Sequence, residues 1–126
     1  MRQRDVEAYA QCSRERLAEW LQGVAGPVSL AHKDDNLEIY DSAFGRVSIA
    51  FPFGEGRFAS LYFTGPERPW DTDVDLARRL AADLGCKIMC DPGEAYPQVD
   101  RVSPVFLEIE DGRESLIGRA SCRERV

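Results

Sequence analysis

Between Val28 and Phe63, apolar residues recur at every second position in four short runs separated by turn formers. This alternation constrains the fold more than any other feature of the chain. Val28, Leu30 and His32 share one side of the first run, and Leu37 and Ile39 mark the second. Val47, Ile49 and Phe51 alternate with Arg46, Ser48 and Ala50 in the third, and Ala59, Leu61 and Phe63 form the fourth. A period of two sends successive side chains to opposite faces, so each run reads as a strand with one face buried. The links are Lys33-Asp34-Asp35-Asn36, Gly45 and Gly54-Glu55-Gly56. They are too brief for crossover helices, so the spacing predicts an antiparallel meander of about four strands.

Helical periodicity flanks this region. Val6, Tyr9, Ala10, Leu17, Trp20, Leu21 and Val24 recur close to every 3.6 residues and predict an amphipathic helix over Val6 to Val24, stopped by Gly26-Pro27. After the turn-rich Thr64 to Pro69, Thr72 with Asp75 resembles a capping box, and Asp71 and Asp73 suit the positive end of a helix dipole. Leu76, Leu80 and Leu84, with Ala77 and Ala81, make one stripe that can lie on the sheet before Gly85 ends the helix. Cys86 to Cys90 reads as a strand, Asp91 to Pro104 as a long loop, and Val105 to Ile109 as another strand. Asp111-Gly112 is a hairpin signal, with Glu114 onward as the return strand. The expectation is one α+β domain: an N-terminal helix, a meander, a second helix packed on the sheet, a strand and a C-terminal hairpin.

Ile117 to Val126 (IGRASCRERV) resembles the translation of a short-read sequencing adapter. The resemblance implies a domain over residues 1–116, a non-native tail over 117–126, and a truncated last hairpin. Setting aside Arg119, Arg123 and Arg125 against Glu124 takes the formal charge from -6 to -8. Such a balance argues against phosphate-directed nucleic-acid binding, which needs clustered Lys and Arg, and favours either a cationic partner or plain solubility. The start lacks a signal-peptide core, and no apolar run approaches the roughly 20 residues of a membrane span. A cytoplasmic location is expected. With Cys122 set aside in the tail, Cys12, Cys86 and Cys90 are an odd count without disulfide-framework spacing, in keeping with a reducing compartment.

The chemistry-bearing residues define no catalytic motif. Cys86 and Cys90 lie four residues apart, about 13 Å along a strand, while disulfide α-carbons lie within about 7 Å, so both read as buried small hydrophobes facing the same way as Ile88. His32 is the only histidine and has no serine or cysteine nucleophile near it in sequence. Single scattered histidine and cysteine residues make no zinc site. Phe53 to Arg57 has two glycines but sits between strands and lacks the lysine and hydroxyl of a phosphate loop. Asp71, Asp73 and Asp75 alternate as calcium ligands do, yet helix capping accounts for them. No catalytic residue, metal or cofactor is expected. One alternative is an enzyme or ligand-binding domain whose site assembles from His32, Tyr40, Tyr62 and the acids of residues 91–104. Another is a subunit that oligomerises through a sheet edge.

Surface recognition is the remaining class. The segment from Asp91 to Asp100 couples three acids, Asp91, Glu94 and Asp100, with Tyr96 in a loop long for a small domain. Tyrosine brings contact area at low entropic cost, and carboxylates can meet Lys or Arg across an interface. The stretches Trp70 to Arg78, Leu84 to Gly93 and Phe106 to Ile109 resemble a pattern in small bacterial proteins, some of which are similar to immunity proteins of contact-dependent or polymorphic toxin systems. That resemblance covers roughly the second half of the chain. It implies stoichiometric inhibition of a cationic toxin domain, with Asp91, Glu94, Tyr96 and Asp100 as contacts and Trp70 flanking them.

Overall fold

The structure, a computed structural model, describes residues 3–51, 58–93, 96 and 105–118. Its elements run β1 (Val6–Ala10), α1 (Arg14–Ala25), β2 (Ser29–Lys33), β3 (Leu37–Ser42), β4 (Gly45–Ala50), β5 (Ala59–Phe63), α2 (Asp73–Leu84), β6 (Ile88–Cys90), β7 (Val105–Glu110) and β8 (Arg113–Gly118). Among the described residues the strands form one antiparallel sheet in the order β2-β3-β4-β5-β1-β6-β7-β8. The α+β class and the meander over β2 to β5 agree with the sequence reading. The sheet has eight strands, however, where the alternation predicted about four.

The largest departure concerns Val6 to Val24. The helix occupies only Arg14–Ala25, and Val6–Ala10 is a strand in the middle of the sheet, between β5 and β6. Val6, Ala8 and Ala10 are buried while Glu7 and Tyr9 face the opposite side, which is an alternation of period two. Ser13 separates the elements: its side chain accepts from the Arg16 backbone N–H and caps α1. Leu17, Trp20 and Leu21, the apolar positions expected for the helix, form its buried face.

Both helices contribute to one core with the inward residues of the sheet. Leu17 and Leu21 of α1 and Leu76, Ala77 and Leu80 of α2 meet Val6, Ala8, Val47, Ile49, Leu61, Phe63, Ile88 and Leu107. The expected cap of α2 is present, with Thr72 Oγ1 accepting from Asp75 N at 3.2 Å and Gly85 closing the C-terminus through a bond to the Ala81 carbonyl. The β7–β8 turn is the two-residue hairpin expected, with positive φ at both Asp111 and Gly112. The return strand pairs with β7 over Arg113–Gly118, with Phe106 opposite Ile117 and Val105 opposite Gly118. Residues 119–126, and the Gly54-Glu55-Gly56 turn, lie outside the described residues.

A close backbone approach locks one end of the meander. A Cβ on Gly65 would stand 1.8 Å from the Phe44 carbonyl oxygen, and one on Gly45 would stand 2.6 Å from the Gly65 Cα. Only glycine at both positions lets the β3–β4 turn press against the segment leaving β5. That segment carries Arg68, buried at 3% exposure, whose guanidinium donates to the carbonyls of Gln3, Arg4 and Gly65.

Candidate functional site

Trp70 belongs to the core. It is 5% exposed, stacks on Trp20 at a centroid distance of 5.8 Å, and meets Phe63 and Phe44 edge-on at 5.1 and 5.9 Å. A ring so enclosed offers no surface to a partner, so its part in the contact set expected from sequence is replaced by a structural one. Its neighbour Trp20 donates to Asp83 Oδ2 at 2.9 Å, anchoring α1 to α2.

Asp91 and Tyr96, by contrast, fall at the surface where β6 leaves the sheet. Asp91 is exposed, and its Oδ1 accepts from the Gly93 N–H at 2.9 Å; the Gly93 carbonyl accepts in turn from the Tyr96 N–H at 3.4 Å. These two bonds link residues 91, 93 and 96. Glu94 and Asp100 lie outside the described residues. The Tyr96 ring packs against the core edge, and its hydroxyl donates to Glu114 of β8. Glu114 is gripped by Arg78 of α2 through two bonds, Nε to Oε2 at 2.8 Å and Nη2 to Oε1 at 3.0 Å. The forked guanidinium matches both carboxylate oxygens, which fixes the geometry as well as adding attraction.

The electrostatics follow from these contacts. The Arg78 hydrogen bonds hold the Glu114 carboxyl below the usual carboxylate range, and donation to Glu114 pushes the Tyr96 hydroxyl above its ordinary value. Beneath them, burial drives the Cys90 thiol well up, and the nearby charges of Asp73, Asp91 and Glu114 add to it. Cys90 is therefore a protonated core residue sharing the sheet face of Ile88, whereas Cys86, expected to be buried with it on the same strand, precedes β6 and is only partly buried.

Asp73, expected as a helix-terminal acid, is also a clasp. Its Oδ1 accepts from the Glu7 backbone N–H at 2.8 Å and from Gln3 Nε2 at 3.1 Å, while its own N–H donates to Gln3 Oε1 at 2.8 Å. Burial raises its carboxyl from 3.8 to about 6, against the lowering effect of those bonds. Nothing in the acidic spacing at residues 71, 73 and 75 marks Asp73 as the one turned inward. That follows from β1 passing over the start of α2.

Among the described residues named for an assembled enzymatic site, His32, Tyr40 and Tyr62 do not converge. His32 sits on the exposed strand β2, its Nε2 2.8 Å from Asp34 Oδ2, with both side chains about half exposed. Register carries the His32 row through Ile39 and Ser48 to Tyr62, three strand spacings or roughly 14 Å away. Tyr62 donates there to Asp5 at 2.7 Å. Tyr40 faces the helix side, where its hydroxyl bonds Glu38 at 2.5 Å and Arg14 lies 3.5 Å from the same carboxylate. Burial, then Glu38, pushes the Tyr40 hydroxyl up to about 12. Glu38 is 2% exposed, and this Arg14–Glu38–Tyr40 network has no contiguous signal in the sequence because its members are brought together from α1 and β3. The depression between α1 and α2 is lined by Arg16, Glu19, Trp20, Arg79 and Asp83, and His32 does not reach it. Among the described residues no group of three or more His, Cys, Asp and Glu is placed to hold a metal ion, and no helix is long and apolar enough to cross a membrane.

No family model, curated protein or solved structure matches the chain.

Proposed function

We propose that the protein is a binding module that inhibits a cationic protein domain by covering it, in the manner of a toxin-immunity protein. The observation that carries this reading is the fixed Tyr96: its ring rests on the core edge and its hydroxyl is tied to Glu114, which Arg78 holds in turn. An aromatic residue immobilised before contact loses little further entropy on binding, and Tyr is among the residues that dominate interface energetics. Asp91 beside it, and the net charge of -6, supply attraction for lysine and arginine on the partner. Glu94 and Asp100 extend the acidic character of the same segment in sequence. Among the described residues, the dispersal of His32, Tyr40 and Tyr62 gives the enzymatic alternative no support. Edge-to-edge oligomerisation is disfavoured at β2, where a register shift between Leu30 and His32 and the charge of Lys33 blunt the strand.

The test is protection. A basic domain encoded beside this chain's gene is expressed in a host with and without the protein, and growth is followed. The proposal expects the domain alone to arrest growth, co-expression to restore it, and the Tyr96→Ala, Glu94→Lys double substitution to abolish protection while the protein remains folded. Protection that survives that double substitution excludes this loop as the interface, and the absence of any protection refutes the inhibitory role.

A further inference from the structure

The cysteine pairing with chemical potential is Cys12 with Cys86, which stand 74 positions apart in sequence and meet just beyond the β1–β6 pairing. Tyr9 pairs with Met89 and Ala10 with Ile88, and the Gln11 N–H donates to the Lys87 carbonyl at 2.9 Å. One step further along that ladder, Cys12 faces Cys86. Since Gln11 and Lys87 are a hydrogen-bonded pair, the cysteines fall at a non-hydrogen-bonded position, where α-carbons of antiparallel strands are about 4.5 Å apart and side chains approach most closely. Disulfides span α-carbon distances of about 4.4–6.8 Å. The two thiols are within hydrogen-bonding reach of one another, and both are free and only partly buried, unlike Cys90.

The geometry points to Cys12 and Cys86 as a reversible thiol–disulfide site, oxidised by a low-molecular-weight disulfide such as glutathione disulfide. One of the two cysteines, as its thiolate, attacks one sulfur of the oxidant, forming a mixed disulfide and expelling one thiolate. The other then gives up its proton and attacks the first cysteine's sulfur, closing the protein disulfide and expelling the second thiolate. The protein loses two hydrogens and two electrons, and the oxidant leaves as two thiols. The Cys86 thiol is pushed up to about 11 by burial and next by the adjacent Cys12, so that it is protonated at neutral pH. Closure joins the segment entering α1 to the link between α2 and β6, and it cross-links a long stretch of the unfolded chain.

The full-length protein, folded and reduced, is incubated with glutathione disulfide, alkylated and digested with trypsin. Cys12 and Cys86 fall on the separate peptides 5–14 and 80–87, while Cys90 and Cys122 fall on two others. The expected product is a 5–14 peptide linked to 80–87, reversed by dithiothreitol, with a melting temperature higher by on the order of 10 °C in the oxidised protein. That shift is absent in Cys12→Ser and Cys86→Ser and kept in Cys90→Ser. A linkage through Cys90 or Cys122, only intermolecular species, or quantitative alkylation of Cys12 and Cys86 after oxidation overturns the proposal.

Discussion

Trp70 and Asp73 show how a single residue's role depends on what folding brings over it. From sequence, Trp70 precedes a helix cap and neighbours a polar surface; in the fold it is sandwiched by Trp20, Phe63 and Phe44. Truncating a buried aromatic leaves a cavity, so Trp70→Ala should cost about 3–5 kcal/mol in urea denaturation, while Trp70→Phe should keep the fold and leave partner binding unchanged. A Trp70→Phe variant that is fully folded but binds poorly would return this residue to the interface. Asp73 makes a pH prediction. Its folded value of about 6 lies above the ordinary 3.8, so the folded state holds a proton that the unfolded chain has released between those values. Stability from this group is therefore present at the acid end and is lost as pH rises through about 6. Asp73→Asn keeps an acceptor for Glu7 and Gln3 and removes the titration. Stability of the variant relative to wild type should rise across this window; a difference that stays flat with pH contradicts the assignment.

At the level of elements, what was legible in the sequence was local. The meander strands, the Thr72 cap, the stop at Gly85 and the Asp111-Gly112 turn are encoded in contiguous residues, and each is where its signal places it. The central strand β1 was not legible as such. Val6, Tyr9 and Ala10 fit a helical spacing as a prelude to α1, and what makes them a strand is pairing with β5 and β6, 49 or more residues away. The candidate site divides the same way. Asp91 and Tyr96 were readable from loop composition, whereas the Glu114–Arg78 grip on Tyr96 joins three elements and leaves no local pattern. The contact of Gly45 with Gly65 is equally non-local, and it yields a contrast between glycines. Gly65→Ala drives a methyl into the Phe44 carbonyl and should prevent stable folding, or cost more than about 4 kcal/mol. Gly23→Ala, inside α1 with nothing within 4 Å of the added carbon, should stabilise by about 0.5–1 kcal/mol. Thermal melts of the two variants check both, and a harmless Gly65→Ala would contradict the close approach.

For the whole molecule, one sheet packed against two helices places Asp91 beside a braced Tyr96 at the exit of β6. Surface charge of this kind affects encounter more than dissociation, so association with a cationic partner should slow as salt rises from low to physiological ionic strength, while truncation of Tyr96 should act on the dissociation rate. The central claim, recognition of a basic domain through Tyr96 and Asp91, is tested most directly by calorimetric titration of that neighbouring-gene domain into the wild-type protein and into Tyr96→Ala. The account predicts a one-to-one complex, with affinity lower in the variant by roughly thirtyfold, the equivalent of about 2 kcal/mol. Equal affinity for both proteins, or no heat of binding to either, would contradict it.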